Sequence, residues 1–249
     1  MKYTYFISDL HLGARYLPDP SGSERRVVRF LQSIKPTAER LYLLGDVLDF
    51  WFEYKHVVPR GFVRFFGALA DLADAGVEIY WMLGNHDIWI FDYLPKEIGL
   101  HVIDGPVEHK IGNHKFYLSH GDNVAPMPKP YAMLRAFFRN KTCQWLYRLI
   151  NPNLTMPFAL GWSNKNRTSR SLATVATEVH GSVEQIRATL EEYAAAHPDT
   201  SFYIMGHLHS VHEISFGEGK QLFVIGDWIS HCTYAVYDGN EVKIQAFQG

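Results

Sequence analysis

Six times along the chain, a short run of aliphatic, β-branched and aromatic residues ends abruptly in a cluster of Asp, Asn, His and Gly. Residues 3–8 lead into "DLHLG", 41–44 into "GDVLDFWFE", 78–83 into "GNHD", 115–118 into "SHGD", 201–205 into "GHLHS" and 221–225 into "GDWIS". Apolar runs of this length, bounded by turn residues, read as strands buried on both faces. Helical periodicity falls between the early runs, at 24–34 and at 62–75, the latter closed by Gly76. Strand, helix, strand in that order implies right-handed crossovers and a largely parallel sheet. Tyr237-Asp238-Gly239-Asn240, between "TYAVY" and "EVKIQAF", reads as a hairpin turn. The expected class is therefore mixed α/β, a mixed sheet or two-sheet sandwich with helices outside. Parallel strands present their carboxyl ends at one edge, where ligands of such folds bind. The six polar clusters are expected to converge there.

Charge is distributed unevenly. Residues 123–177 contain no Asp or Glu but hold Lys129, Arg135, Arg139, Lys141, Arg148, Lys165, Arg167 and Arg170. In a chain of net charge −2, that segment is +8 and the rest −10. A charge run alone is most often a solvated face, but solvated helices usually mix both signs for i,i+4 pairing. The portion "YAMLRAFFRNKTCQWLYRLI" spaces apolar residues helically with cations between them. The segment reads as an inserted basic and apolar helical cap on a single 249-residue domain. No apolar run is long enough to span a bilayer, residues 1–6 pass directly into a strand run without an apolar leader, and Cys143 and Cys232 form no CxxC motif. A cytoplasmic location is expected.

The clusters supply Asp9, His11, Asp46, Asn85, His86, Asp87, His120, His207 and His209. A lone His is more often a surface or hydrogen-bonded core residue than a ligand, and a strand-terminal Asp is commonly a turn or cap residue. The ordered set, each member following its own strand, is far harder to reach by chance. Carboxylate, imidazole and amide oxygen without thiolate suit a hard to borderline divalent ion. Seven such donors (Asp9, His11, Asp46, Asn85, His120, His207 and His209) are too many for one tetrahedral ion and suit two ions sharing a bridging carboxylate.

The ordered series DxH, GD, GNHD, H, GHxH resembles the signature of the calcineurin-like metallophosphoesterases over essentially the whole body. The resemblance implies a two-sheet sandwich flanked by helices. It implies one metal held by Asp9, His11, Asp46 and His209, and a second held by Asp46, Asn85, His120 and His207, with Asp46 bridging. The cofactor expected is a pair of divalent ions, manganese in preference to iron, zinc or magnesium. His86 is left to face the phosphate as a cation or proton donor, with Asp87 expected to orient it.

"GDVLDFWFE", the insertion after "HGD" and "GWSNKNRTSR" are similar to the UDP-2,3-diacylglucosamine hydrolases of lipid A biosynthesis, which split a pyrophosphate into a diacylated sugar phosphate and UMP. Phe137, Phe138, Trp145, Leu146, Leu149 and Ile150 offer apolar walls for acyl chains or else pack the cap onto the body. Lys165, Arg167 and Arg170 are expected to meet phosphate or sugar oxygens, and Asp122 to touch substrate or support His120. The partners implied are a lipid-linked UDP-sugar and the inner face of the cytoplasmic membrane, met peripherally. No nucleic acid is expected, because the body is net acidic, and no obligate protein partner is inferred. One departure is His86, where many members of that hydrolase family carry Arg. A soluble nucleotide phosphodiester, a phosphomonoester or nucleic acid stands as the alternative substrate, and a non-catalytic scaffold as the remoter reading. Trp228 and His231 either border the site or pack.

Overall fold

The computed structural model describes residues 2–168 and 172–249, with side chains outside 164–181. In chain order, β1 (Tyr3–Ile7), α1 (Pro20–Ile34), β2 (Ala38–Leu43), α2 (Val63–Asp74), β3 (Glu78–Met82), α3 (Tyr93–Ile98) and β4 (His101–Ile103) form the first half. Then come β5 (Val107–Ile111), β6 (His114–Ser119), α4 (Lys129–Arg139), α5 (Lys141–Arg148), α6 (Pro152–Thr168) and α7 (Leu172–Ala196). Last are β7 (Thr200–Met205), β8 (Val211–Phe216), β9 (Lys220–Ile225), β10 (Thr233–Tyr237) and β11 (Val242–Ala246).

The strands make two mixed sheets. The first runs β11-β10-β1-β2-β3-β4, with β1 to β4 mutually parallel and the β10–β11 hairpin added antiparallel to β1. The second runs β5-β6-β7-β9-β8, with β6, β7 and β9 parallel. Their inner faces meet in one apolar layer: Phe6, Tyr42 and Met82 from the first sheet against Phe116, Ile204 and Phe223 from the second. Phe6 stacks on Phe116 across it at a ring separation of 5.9 Å. The outer face of the first sheet is covered by α1 and α2 through Phe30, Leu31, Phe65 and Leu69, and that of the second by Ile186 and Leu190 of α7. Both faces of the central strands are thus buried, which is why their runs are continuously apolar rather than alternating.

Both early helices are found where periodicity places them, α1 beginning a turn earlier because Asp19 caps it by accepting from the Gly22 amide. The acid-free stretch folds as helices through 129–168, with Asn140 ending α4 and capping α5. Its expected far boundary at 177 is not a break, since α7 continues through it to Ala196.

Candidate metal centre

The carboxyl ends of β1, β2, β3, β6 and β7 lie at one edge of the sandwich, and each hands its polar cluster to that edge. The loops there are unusually constrained. Asp9, His11, Asp46, His207 and His209 all sit in the left-handed region, at φ 55, 43, 51, 69 and 51°. Each such non-glycine residue costs on the order of 1–3 kcal/mol and persists only where its surroundings hold it. They are held by backbone hydrogen bonds across the loops: Asp9 N to Gly45 O, His11 N to Asp46 O, Gly206 N to His120 O and Trp228 N to Asp9 O. Two glycines make the close approach possible. A Cβ on Gly84 would overlap the Asp46 carboxylate, and one on Gly206 would overlap Ser8 Oγ and Asp9 Oδ2.

Hydrogen bonds on the outward atoms turn the remaining atoms inward. Asp9 Oδ2 accepts from Ser8 Oγ at 2.6 Å and His207 N at 2.8 Å, leaving Oδ1 buried with no partner. His11 Nδ1 lies 3.3 Å from Asp49 Oδ1, leaving Nε2 buried without one. His120 Nδ1 donates to Leu44 O at 2.8 Å, and His209 Nδ1 lies 3.2 Å from Asp227 Oδ2. Asp46 Oδ1 accepts from the His86 amide at 2.9 Å, so Oδ2 is the oxygen turned toward the imidazoles. Around Oδ2 stand His11 Nε2 at 3.6 Å, His120 Nε2 at 3.5 Å and His86 Nε2 at 3.9 Å. His209 Nε2 is 3.6 Å from Asp9 Oδ1. His207 Nδ1 and Asn85 Oδ1 are each 3.3 Å from His120 Nε2.

Six of the seven expected donors are therefore brought together in the two groups Asp9, His11, His209 and Asp46, His120, His207, with Asp46 also grouped with His11 and His86, and the seventh, Asn85, stands beside His120. A divalent cation fits this set. Orphaned buried atoms of Asp9 and His11 need a positive partner, buried polar atoms rarely go unpaired, and imidazoles fixed through their far nitrogen are the usual metal-ligating arrangement.

The charges agree with that reading. Burial opposes the cationic form of His120, yet Asp46, Asp9 and Asp122 hold its pKa up to about 10. Burial and the neighbouring His120 push His207 down to about 4, and burial lowers His11, which keeps both neutral and ready to donate a lone pair. Burial works against ionised Asp46, but His120, His86 and His11 keep it well below the usual carboxylate range. Carboxylates holding a proton on His120 would hold a metal ion in its place.

His86 lies where the phosphate-facing residue is expected, but its orienting partner is not Asp87. His86 Nδ1 donates to the backbone oxygen of Asp49 at 2.9 Å, with the Asp49 carboxylate 3.6 Å away. Burial lowers the His86 pKa, and Asp46 and Asp49 overcome this to raise it above its ordinary value. Asp87 instead accepts from the Gly84 amide at 2.9 Å, Val47 N at 2.9 Å, Asp46 N at 3.3 Å and Trp81 Nε1 at 3.1 Å. It is the clasp of the "GD" and "GNHD" loops, and burial beside Asp46 pushes it up to about 6. The correction has a plain cause: wholly buried backbone amides in those turns need an acceptor more than a half-exposed imidazole does.

Asp122 is ion-paired with Arg135 of α4, its Oδ2 3.1 Å from Arg135 Nε. Arg170 lies outside the described residues, as do the side chains of Lys165 and Arg167. Of the apolar candidates, Phe138 packs edge-on against Trp89, while Phe137, Trp145, Leu146, Leu149 and Ile150 are exposed. Trp228 is core, packed on Phe30 and Phe247, and His231 Nδ1 lies 3.2 Å from the second oxygen of Asp227.

Sequence reasoning missed three supporting residues. Asp49 holds His11 and His86 and takes a 3.0 Å hydrogen bond from Ser163 of α6. Asp227 accepts three backbone amides besides the two imidazoles, and despite burial these hold it well below the usual range. Glu53 accepts the amides of Phe91, Asp92 and Tyr93 and so caps α3. The signal for Asp49 and Glu53 was present, as unexplained acids in an otherwise aromatic "GDVLDFWFE".

The model of the calcineurin-like phosphoesterase family matches residues 3–211. The chain belongs to that family and is a metal-dependent hydrolase using divalent ions. It is 37% identical to a UDP-2,3-diacylglucosamine hydrolase of Porphyromonas gingivalis, over 98% of this chain and 97% of the relative. A second relative of the same description, from Edwardsiella ictaluri, is 29% identical over 97% of this chain and 90% of its own length. Among solved structures, Yfce, a phosphoesterase from E. coli, aligns with a TM-score of 0.48 at 14% identity, covering 98% of this chain and 92% of that one.

Proposed function

We propose that the protein hydrolyses the pyrophosphate of UDP-2,3-diacylglucosamine to 2,3-diacylglucosamine 1-phosphate and UMP, a step of lipid A biosynthesis, with two manganese ions. The observation that carries the chemistry is Asp46 Oδ2, a single carboxylate oxygen within 3.6 Å of His11 on one side and 3.5 Å of His120 on the other. The near-complete coverage of the Porphyromonas gingivalis relative supports the substrate.

Asp9, His11, Asp46 and His209 hold one ion in this reading, and Asp46, Asn85, His120 and His207 the other. When bound, a pair of divalent ions would supply Lewis acidity toward a phosphoryl oxygen and would acidify the attacking water. The residues of the chain do the rest. His86, with Nδ1 fixed on Asp49 O and its cationic form favoured by Asp46 and Asp49, presents Nε2–H to the phosphoryl oxygens. There it stabilises charge on the way to the transition state or hands its proton to the leaving oxygen. Asp49, Asp227 and Leu44 O keep three imidazoles in their ligating tautomer.

Helices α4 to α6 act as the cap over this edge. Exposed Trp145, Leu149, Phe158 and Trp162, in a stretch with cations and no acids, suit acyl chains and an anionic bilayer surface. Among the described residues no helix is long and apolar enough to cross a membrane; the contact proposed is a peripheral one, on the cytoplasmic face. The purified protein with manganese should release UMP from the lipid substrate in mixed micelles. Full metal loading with no UMP would overturn the substrate while leaving the metal centre intact.

A further inference from the structure

α4 carries Tyr131, Arg135 and Arg139 at i, i+4 and i+8, a single stripe along the helix. The stripe faces the strand-end edge. Arg135 pairs with Asp122, two residues beyond His120, and Arg139 Nη1 pairs with Asp104, the residue following β4. The side chain of Arg139 is 17% exposed, and its Nε and Nη2 are buried without a hydrogen-bond partner among the described residues. Leaving charged donors buried and unpaired is costly, so the arrangement awaits an acceptor. A planar fork with donors to spare matches phosphate oxygens. Burial, followed by the charges of Asp122 and Asp46, pushes the Tyr131 hydroxyl up to about 12, so it remains a donor at neutral pH.

The stripe and His86 flank different ends of the donor set. His86 packs edge-on against His11 at a ring separation of 4.7 Å, while Asp122, the partner of Arg135, follows His120 by two residues just past the end of β6. One phosphoryl group needs one flanking cation. Two linked phosphoryl groups need one at each end. We infer that Arg139 and Tyr131, with Arg135 held in place by Asp122, bind the second phosphoryl group of a nucleoside diphosphate ester while the first lies over the metal donors. The inference rests on the pyrophosphate chemistry proposed above and deepens it, because it separates a diphosphate site from a general phosphoesterase site.

Calorimetric titration of the manganese-loaded full chain with UDP and with UMP, metal kept in excess, tests it without requiring turnover. The wild type should bind UDP about tenfold or more tighter than UMP. Arg139→Gln should cut that advantage to about threefold or less, Arg139→Lys should restore part of it, and Tyr131→Phe should lower it by a smaller factor. Asp104 is exposed, so losing Arg139 strands no buried charge there, and thermal melting checks that each variant is folded. A wild type that binds UDP no more tightly than UMP, or an advantage left intact in both Arg139→Gln and Tyr131→Phe, overturns the inference. Lipid turnover measured separately on the wild type reports on the proposed substrate, so its failure would leave a demonstrated diphosphate site standing.

Discussion

The strand-end centre and the α4–α6 helices solve opposite problems. The centre is buried and over-determined: Asp9, His11, Asp46 and His120 are almost inaccessible, and five of its residues are held in strained backbone. The helices expose large apolar side chains, Met133, Trp145, Leu149 and Phe158 among them. They are attached through polar contacts, Arg135 to Asp122, Arg139 to Asp104, Trp89 to Phe138 O and Ser163 to Asp49, and through aromatic ones, Phe138 on Trp89 and Tyr147 on Phe52. Metal chemistry needs geometry fixed before the ligand arrives, whereas a surface that receives flexible chains gains little from rigidity. Substitutions should separate the two regions by effect size.

The largest effect is expected from Asp46→Ala. Removing the shared oxygen should reduce bound metal from two ions to at most one and lower turnover by about 10³-fold or more, read by metal analysis beside kinetics. Two ions retained would break the assignment. Next comes His86→Ala, with an expected loss of roughly 10²–10⁴ in kcat at unchanged metal content. The pH dependence carries a sign. Because the folded-state pKa of His86 is raised, its cation is complete below the ordinary histidine value and is lost as pH rises through the raised one. The alkaline fall in kcat should therefore shift or vanish in His86→Arg, whose charge does not titrate there.

A smaller effect is expected at the orienting carboxylates. Asp227→Asn or Asp49→Asn should weaken metal binding by about 10–100-fold while turnover at saturating metal largely recovers. Asp227 adds a stability test in the metal-free protein. Its folded pKa is depressed, so its contribution is present above the unfolded carboxylate value near 3.9 and disappears as pH falls toward the folded one. The gap between wild type and Asp227→Asn in denaturant unfolding should be flat from neutral pH down to about 5 and close only in stronger acid. The smallest change in stability belongs to the helices. Trp145→Ala with Leu149→Ala should leave unfolding within about 0.5 kcal/mol of wild type but raise KM for the lipid about tenfold. A large loss of stability instead would show that these exposed side chains are structural.

Legibility differed between the regions for a physical reason. Each donor cluster follows its own buried strand, so a short apolar run and the Asp, Asn or His after it were enough to collect Asp9, Asp46, Asn85 and His120 before any coordinates. Asp49, not singled out in the sequence, takes the place expected of Asp87 beside His86, because the choice depends on which buried amides and imidazoles face each carboxylate, across 40 and 37 residues of chain. The helical insertion was visible from its missing acids. Its division at Asn140, and the continuation of α7 past 177, depend on capping and on packing against the second sheet.

The sequence by itself offered the candidate donors and the order in which strand-terminal clusters present them along the chain, because donor type and strand burial are properties of local residues. Tertiary structure alone decided which atom of each donor faces inward, that Asp46 Oδ2 stands between His11 and His120, and that Arg139 keeps donors without a hydrogen-bond partner among the described residues. Those are outcomes of hydrogen-bond competition among groups far apart in the chain, in a buried space where each polar atom takes the partner that geometry offers.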